Sequence, residues 1–467
     1  MQQSMTMYPG PHWQQAATPE AVGWSTDLLA QARAFSETIS SAAVMIVQGG
    51  VVVDAWGDMN RTFLCHSIRK SLLSALIGIA VHTGDMGLSK TLEELAIDDT
   101  EPALTPSEKQ ATVADLLTAR SGIYHPASVE TVGMAVTRPP RSSHAPGTFW
   151  HYNNWDFNAL GTIFEQETGT RIYDAFQQHL AAPLHMEDYD ITDFAYSGGP
   201  ASWHPAYVFR LSTRDLARLG LLFLREGRWD QTQLIPAAWV RESTASHAAL
   251  GPNSGYGYMW WTGTRQGLFP HVTVQEHCYY AAGYGGHYVI ILPYKDLVVV
   301  HRVNTDIPEE SVTAAQMGWL LRLILAASGE GELGEEAHAP EVQEGLRSVC
   351  LPHDVAIVPP QSSIPVERAA FSGQWAGLWE GVVPHILVVE QITPDSAVAV
   401  FAWGMARQWN IHQGRWTRVP ARFVDGALQL KLQRPATVTY RLQSDGTLDA
   451  TYEGAWDWGR ATMCRMC

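Results

Sequence analysis

Thr62-Phe-Leu-Cys-His-Ser67-Ile-Arg-Lys70-Ser-Leu-Leu-Ser-Ala-Leu-Ile-Gly-Ile-Ala-Val81 is the stretch on which the reading of this chain turns. From Ser71 to Val81 the apolar residues recur at helical spacing, and Thr62-Phe63-Leu64 forms a short extended lead-in. Ser67 therefore sits near the start of a buried helix. Residues three apart share a helix face, which sets Lys70 beside Ser67 one turn further in. A serine hydroxyl is a weak nucleophile at neutral pH and needs a base. Burial penalises the ammonium form of lysine, so an amine here is available to take the serine proton. The helix start adds N–H donors and a positive dipole end for a developing oxyanion. A Ser-x-x-Lys match alone arises by chance on the order of once in a chain this long. The competing account makes Ser67 an N-cap and Lys70 a solvated residue.

Two further segments lend the match its context. Tyr152-Asn153-Asn154 follows the turn Pro146-Gly147 and precedes a helix beginning near Phe157. Tyr152 is placed to relay protons among Ser67, Lys70 and a leaving group, and the Asn154 amide to hold Lys70 and the substrate carbonyl side. Asp156 reads as the helix cap. Gly283-Tyr284-Gly285-Gly286-His287 lies between two expected strands, where glycines let a substrate approach the backbone. The His287 N–H would then join that of Ser67 as an oxyanion hole. A plain glycine-rich hairpin is the alternative there.

With Leu116-Leu117-Thr118-Ala119-Arg120-Ser121-Gly122 added, the combination resembles the serine β-lactamase and penicillin-binding-protein superfamily, nearest its class C-like branch of esterases, amidases and peptidases. The resemblance covers about residues 17–327. It implies catalysis by Ser67, Lys70 and Tyr152, with Asn154, Tyr284, Gly285, Gly286 and His287 around the substrate and its oxyanion, and no cofactor or metal. In the penicillin-recognising members the third motif is Lys-Thr-Gly, whose lysine helps to bind a substrate carboxylate. Tyr284-Gly285-Gly286 stands in that place. The favoured activity is thus cleavage of carboxylic esters or amides. A β-lactamase or D-amino-acid peptidase is the alternative, and a non-catalytic ligand-binding protein on the same fold is the second.

Outward from these motifs, runs at 42–47 and 51–56 joined at Gly49-Gly50 predict a hairpin. Helices are expected at 113–119, 157–168, 212–225, 236–243 and 311–327, and strands at 279–282, 288–292 and 297–303. Strands from both ends of a region with helices between them make an α+β domain, an antiparallel sheet under a helical lobe, over residues 1–330. Glycine, glutamate and proline enrichment marks 331–367 as a linker. From 368 to 467, short alternating runs and turns such as Asp425-Gly426 and Asp445-Gly446 predict an all-β barrel or sandwich, similar in pattern to the lipocalin-like domains appended to some of these hydrolases. Trp375, Trp379, Trp403, Trp409, Trp416, Trp456 and Trp458 fall in it, and a core of large rings is favoured over a ligand-binding interior.

Composition excludes several classes. With 46% apolar and 17% charged residues the chain is globular, and a net charge of -16 repels phosphate backbones and anionic headgroups. No apolar run approaches the roughly 18 residues that span a bilayer, and no signal-peptide pattern opens the chain. A cytoplasmic protein with a small-molecule ester or amide substrate is expected, without nucleic-acid or membrane partners, its oligomeric state open. Five cysteines, an odd number, read as reduced thiols. His271, His277, Cys278 and His287 lack regular metal-ligand spacing. His66 beside Ser67 invites a serine–histidine scheme, but the Gly-x-Ser-x-Gly elbow is missing. His144, His151 and His204 read as residues that line or brace the cleft.

Overall fold

Continuous apolar runs suit strands buried on both faces, and the chain provides three in a row at the centre of one sheet. The computed structural model describes residues 7–466 apart from 131, 252, 266, 271, 308–309, 331–348, 353, 362, 380–382, 405–413, 433–435, 444–445 and 455–457. The described residues form two compact units, Met1–Glu130 with Arg138–Leu333, and Thr131–Thr137 with Gly334–Cys467. The first contains an antiparallel sheet ordered Val51–Gly57, Ser41–Gln48, Leu297–Val303, His287–Leu292, Val274–Gly283, Trp261–Arg265, Ser254–Tyr256, Ala248–Ala249. The first two strands meet at Gly49-Gly50, both at positive φ (63° and 87°), the two-residue turn whose twist matches a hairpin.

Strand periodicity sends alternate residues to opposite sides of this sheet. Val44, Ile46, Ile290, Leu292, Leu297 and Val299 pack with Thr26–Glu37 and Ala314–Ala327 on one face. Met45, Val47, Val289, Ile291, Val298 and Val300 pack on the other face into the helical lobe. Within that lobe, Ile68–Thr83 is buried almost all round, which marks a helix enclosed by protein rather than a surface helix with one wet face. From Ile68 to Gly78 every residue is buried, so a polar side chain there is desolvated wherever it points. Asn154–Thr168 and Ile172–Phe176 pack beside it, and Thr213–Leu224 lies across the central strands.

The second unit is a closed eight-stranded barrel in chain order, from Gly373–Trp379 to Trp458–Arg465. Asp425 and Gly426, at φ 46° and 76°, make the expected tight turn between paired Val424 and Ala427. Asp445 lies outside the described residues, as do Trp409, Trp456, Cys467 and His271. Side chains occupy the barrel interior: Trp375, Leu387, Val389, Ala399, Phe401, Val438 and Tyr440 pack into one core. One buried polar pair completes it, His385 Nε2 to the Tyr440 hydroxyl at 2.7 Å, with Nδ1 on the Ala402 carbonyl. Trp416, by contrast, is exposed. Of the linker reading, residues 331–348 lie outside the described set. In the remainder, Val349, Leu351 and Val355 pack on Ile386, Val388 and Val400 of the barrel wall, and Asp354 pairs with Arg418.

Among the described residues no helix is long and apolar enough to cross a membrane. Cys65, Cys278, Cys350 and Cys464 are free thiols.

Candidate active site

Ser67 opens the enclosed helix as its N-cap residue, at φ −74° and ψ −9°, and its hydroxyl makes no capping bond. Ser67 thus holds the N-cap position without capping the helix through its side chain, and the hydroxyl is committed elsewhere. Lys70 Nζ lies 2.7 Å from Ser67 Oγ and 2.7 Å from the Tyr152 hydroxyl. The amine also sits 4.7 Å from the Tyr152 ring centre and 4.9 Å from that of Phe157. Lys70 is 2% exposed, so it is no solvated residue.

Burial, followed by the neighbouring Arg69 charge, pushes the Lys70 amine well below its ordinary value. Burial pushes the Tyr152 phenol up to about 12, partly offset by its bond with Ser67 and by Arg69. These opposite directions set the two groups apart as proton carriers. At pH 7 a phenol of pKa about 12 is ionised in about one molecule in 10^5, whereas a strongly depressed lysine supplies neutral amine. The arrangement is one in which a neutral Lys70 amine can accept a proton from Ser67 and a protonated Tyr152 hydroxyl can pass one on.

The glycine-rich segment reaches the same turn. Gly283 pairs with His287 across the hairpin, with Gly285 and Gly286 at φ 81° and 101° in the loop. A Cβ on Gly283 would fall 2.6 Å from the Cys65 carbonyl oxygen and 3.3 Å from His66 Cβ. Only glycine lets this strand end pack against the Ser67 turn. Tyr284, half exposed, stands edge-on to His66.

His66 takes a left-handed backbone at φ 47°, costly for a residue with a side chain, and a buried relay holds it. Arg302, fully buried, donates Nε–H to His287 Nδ1 at 2.9 Å and its other N–H groups to the Leu211, Phe63 and Leu64 carbonyls. His287 Nδ1 must therefore accept, which leaves Nε2–H to donate to Thr305 Oγ1 at 3.2 Å. The same Thr305 hydroxyl hydrogen-bonds with His66 Nε2 at 2.7 Å. Burial, then Arg302 and Lys70, pushes the His66 imidazole down to about 4. A histidine this weakly basic and bonded to Thr305 is not a base for Ser67. None of Arg69, Tyr256, Thr305 and Arg302 stood out in the sequence; Arg69 alone sat inside a recognised motif.

Other expected residues land differently. Asn154 Nδ2 donates to the Val129 carbonyl at 2.6 Å, and Oδ1 has no hydrogen-bond partner among the described residues. The expected bond to Lys70 is not formed. The helix cap is Asn153, which accepts from the Asp156 N–H, and not Asp156. Of Trp150, Trp155, Tyr258, Trp260 and Trp261, the aromatic residues close in sequence to these motifs, Trp261 packs on the Tyr152 ring, and Trp150 joins through Tyr256 and Trp261 in a cluster of rings 5.1–6.2 Å apart. Trp155 donates to Asp99, Trp260 packs on Phe223 and Tyr279, and Tyr258 on Trp239 and His247, all in the core. His204 bonds Thr162 and the Asp98 carbonyl, bracing the lobe, and His144 stacks on Phe149.

Asp156 is buried with Oδ1 2.5 Å from Ser121 Oγ and no hydrogen-bond partner for Oδ2 among the described residues. Burial pushes its carboxyl up to about 8. The folded protein thus holds a proton that the unfolded chain releases near pH 4. The resulting stability is fully present below about pH 4 and is lost as pH rises through about 8. Asp156→Asn should remove this dependence. Relative to wild type, the variant should gain about 2 to 4 kcal/mol between pH 5 and pH 8 in urea titrations. A constant difference would mean that Asp156 is ionised in the folded state.

A Beta-lactamase family model matches residues 26–324. The chain belongs to the beta-lactamase family. Solved structures of the same fold include an octameric penicillin-binding protein homologue from Pyrococcus abyssi, with 15% identity, TM-score 0.51, and coverage of 94% of this chain and 99% of that one. A protein assigned as a 6-aminohexanoate-dimer hydrolase from Bacillus anthracis matches at 17% identity, TM-score 0.50, covering 63% of this chain and 81% of that one. One assigned as a beta-lactamase from Bacteroides dorei DSM 17855 gives 18% identity, TM-score 0.50, with 66% and 100% covered. None of the curated proteins compared with the chain matches it. The Pyrococcus match extends over the barrel, so that the fold of this beta-lactamase family member includes the additional β domain.

Proposed function

We propose that this beta-lactamase family protein is a serine hydrolase that cleaves carboxylic esters or amides through an acyl-enzyme on Ser67. The observation that carries the reading is the buried Lys70 amine within 2.7 Å of both Ser67 Oγ and the Tyr152 hydroxyl. Neutral Lys70 takes the Ser67 proton as Oγ bonds to the substrate carbonyl carbon. The resulting ammonium, disfavoured by its surroundings, passes a proton through Tyr152 to the leaving group as the scissile bond breaks. Water then repeats the sequence on the acyl-enzyme. Backbone N–H groups of Ser67 and His287 serve as the oxyanion donors, and Asn154, Tyr284, Gly285 and Gly286 border the substrate.

The substrate class follows from what borders the nucleophile. Tyr284 stands where a carboxylate-binding lysine would be needed for penicillins, and the Tyr256 and Trp261 rings next to Tyr152, with Trp150 packed on both of them, favour neutral, partly apolar acyl groups. Apolar contacts discriminate by only about 1 to 3 kcal/mol per methylene, so selectivity is broad. Short-chain esters should be hydrolysed readily, linear amides more slowly, and nitrocefin and D-Ala-D-Ala peptides poorly. A panel of these four gives the test. A specificity constant for nitrocefin above that of the best ester would make the protein a β-lactamase, and a peptide preference would make it a peptidase.

A further inference from the structure

Buried charged side chains are ordinarily paired, because desolvating an unpaired ion costs several kcal/mol. Arg69 is an exception. It precedes Lys70 on the enclosed helix and is 5% exposed. Its guanidinium lies 4.3 Å over the Tyr207 ring and donates through Nη2 to Asn158 Oδ1 at 2.7 Å. Buried Nη1 has no hydrogen-bond partner, and no carboxylate pairs with Arg69 among the described residues. The one acid close by in the chain to Asn158, Asp156, is held protonated at neutral pH and offers no compensating charge. Simple pinning of the two helices through Asn158 would need only a neutral donor.

We infer that Arg69 acts on the reaction through Lys70, its unpaired buried charge disfavouring a second positive charge on the neighbouring amine. The inference rests on Lys70 being the base, as in the proposed function. The groups facing Lys70 leave the effect unopposed. Ser67 adjoins it on its own helix, and the Tyr152 and Phe157 rings cover it from the following segment. Tyr256 backs Tyr152 from the sheet, and neutral His66 lies at the preceding turn. None is an ionised acid. Arg69 is therefore a positioning residue for charge: it makes neutral Lys70 available at lower pH and makes the transient ammonium a readier donor towards the leaving group. Burial and Arg69 are the two causes of the depressed Lys70 value, in that order.

The test is the pH dependence, from pH 5 to 10, of the acylation burst with p-nitrophenyl acetate in full-length protein. Arg69→Gln keeps a donor for Asn158 but removes the charge, and should move the acid limb up by about one pH unit or more. The rate at pH 6 then falls about tenfold or more and recovers by pH 9. Arg69→Lys should keep the limb near its original position. Asn158→Asp is the decisive variant, since it sets a carboxylate against the guanidinium while strengthening the link between the helices. It should shift the limb in the same direction as Arg69→Gln. A purely structural Arg69 predicts a uniform loss at every pH for Arg69→Gln and an unmoved limb for Asn158→Asp, and either result overturns the inference. If Arg69→Gln does not fold, the Asn158→Asp limb alone decides. A wild-type protein without a Ser67-dependent burst overturns the hydrolase reading, and this inference with it; a burst with an unmoved limb overturns only the role of Arg69.

Discussion

Replacing Ser67 with alanine is expected to abolish hydrolysis of the best ester, by at least about 10^4-fold in kcat, while leaving the thermal transition within a few degrees of wild type. The hydroxyl makes no capping bond to its own helix, so its removal costs little structure. What disappears is the atom that attacks. Residues that act as one unit are not additive, so a Ser67→Ala, Lys70→Met double variant should be about as inactive as the single serine variant. A Ser67→Ala protein that keeps more than about a hundredth of the wild-type rate would place the nucleophile elsewhere.

Lys70→Met should lose about 10^3-fold or more in kcat and at the same time become more stable, and the two effects have one cause. Burial and then the neighbouring Arg69 hold the Lys70 amine well below its ordinary value in the folded protein, whereas the unfolded chain protonates it up to about pH 10.5. Because the native state binds fewer protons, its stability rises with pH over that window and is penalised below it. Methionine fills similar volume without a charge to desolvate, so the gain should be about 1 to 3 kcal/mol at pH 7 and should shrink towards pH 10. Urea midpoints at the two pH values measure it. A destabilised Lys70→Met at pH 7 would mean that the lysine is charged and compensated in the folded state.

The Ser67 helix was legible because its signal is short-range: apolar periodicity after Ser67 implies enclosure, and spacing alone puts Lys70 on the serine face. The central strands were legible for the same reason, each being a continuous apolar run. The outer strands Ser254–Tyr256 and Trp261–Arg265 and the barrel strands Gly373–Trp379, Arg415–Val424 and Trp458–Arg465 were not, since glycine, arginine and tryptophan break their alternation. At the site, what escaped was direction. Trp155 follows Tyr152 closely in sequence, yet points to Asp99 because the helix starts at Asn154 and turns it into the lobe. Arg302 and Thr305 gain their role only by tertiary contact, with His287 on the neighbouring strand and with His66, 239 residues from Thr305, and no local pattern marks such pairs. Arg69 was in view throughout, but its lack of a partner is a property of the fold.

In the proposed function Ser67 Oγ is the atom acylated, with Lys70 as its base. Incubation of the full-length protein with a fluorophosphonate, followed by peptide mapping in a mass spectrometer, tests it most directly. The account predicts one adduct per chain, on Ser67, absent from Ser67→Ala and formed far more slowly by Lys70→Met. An adduct on any other residue, or equal labelling of the Ser67→Ala protein, would contradict it.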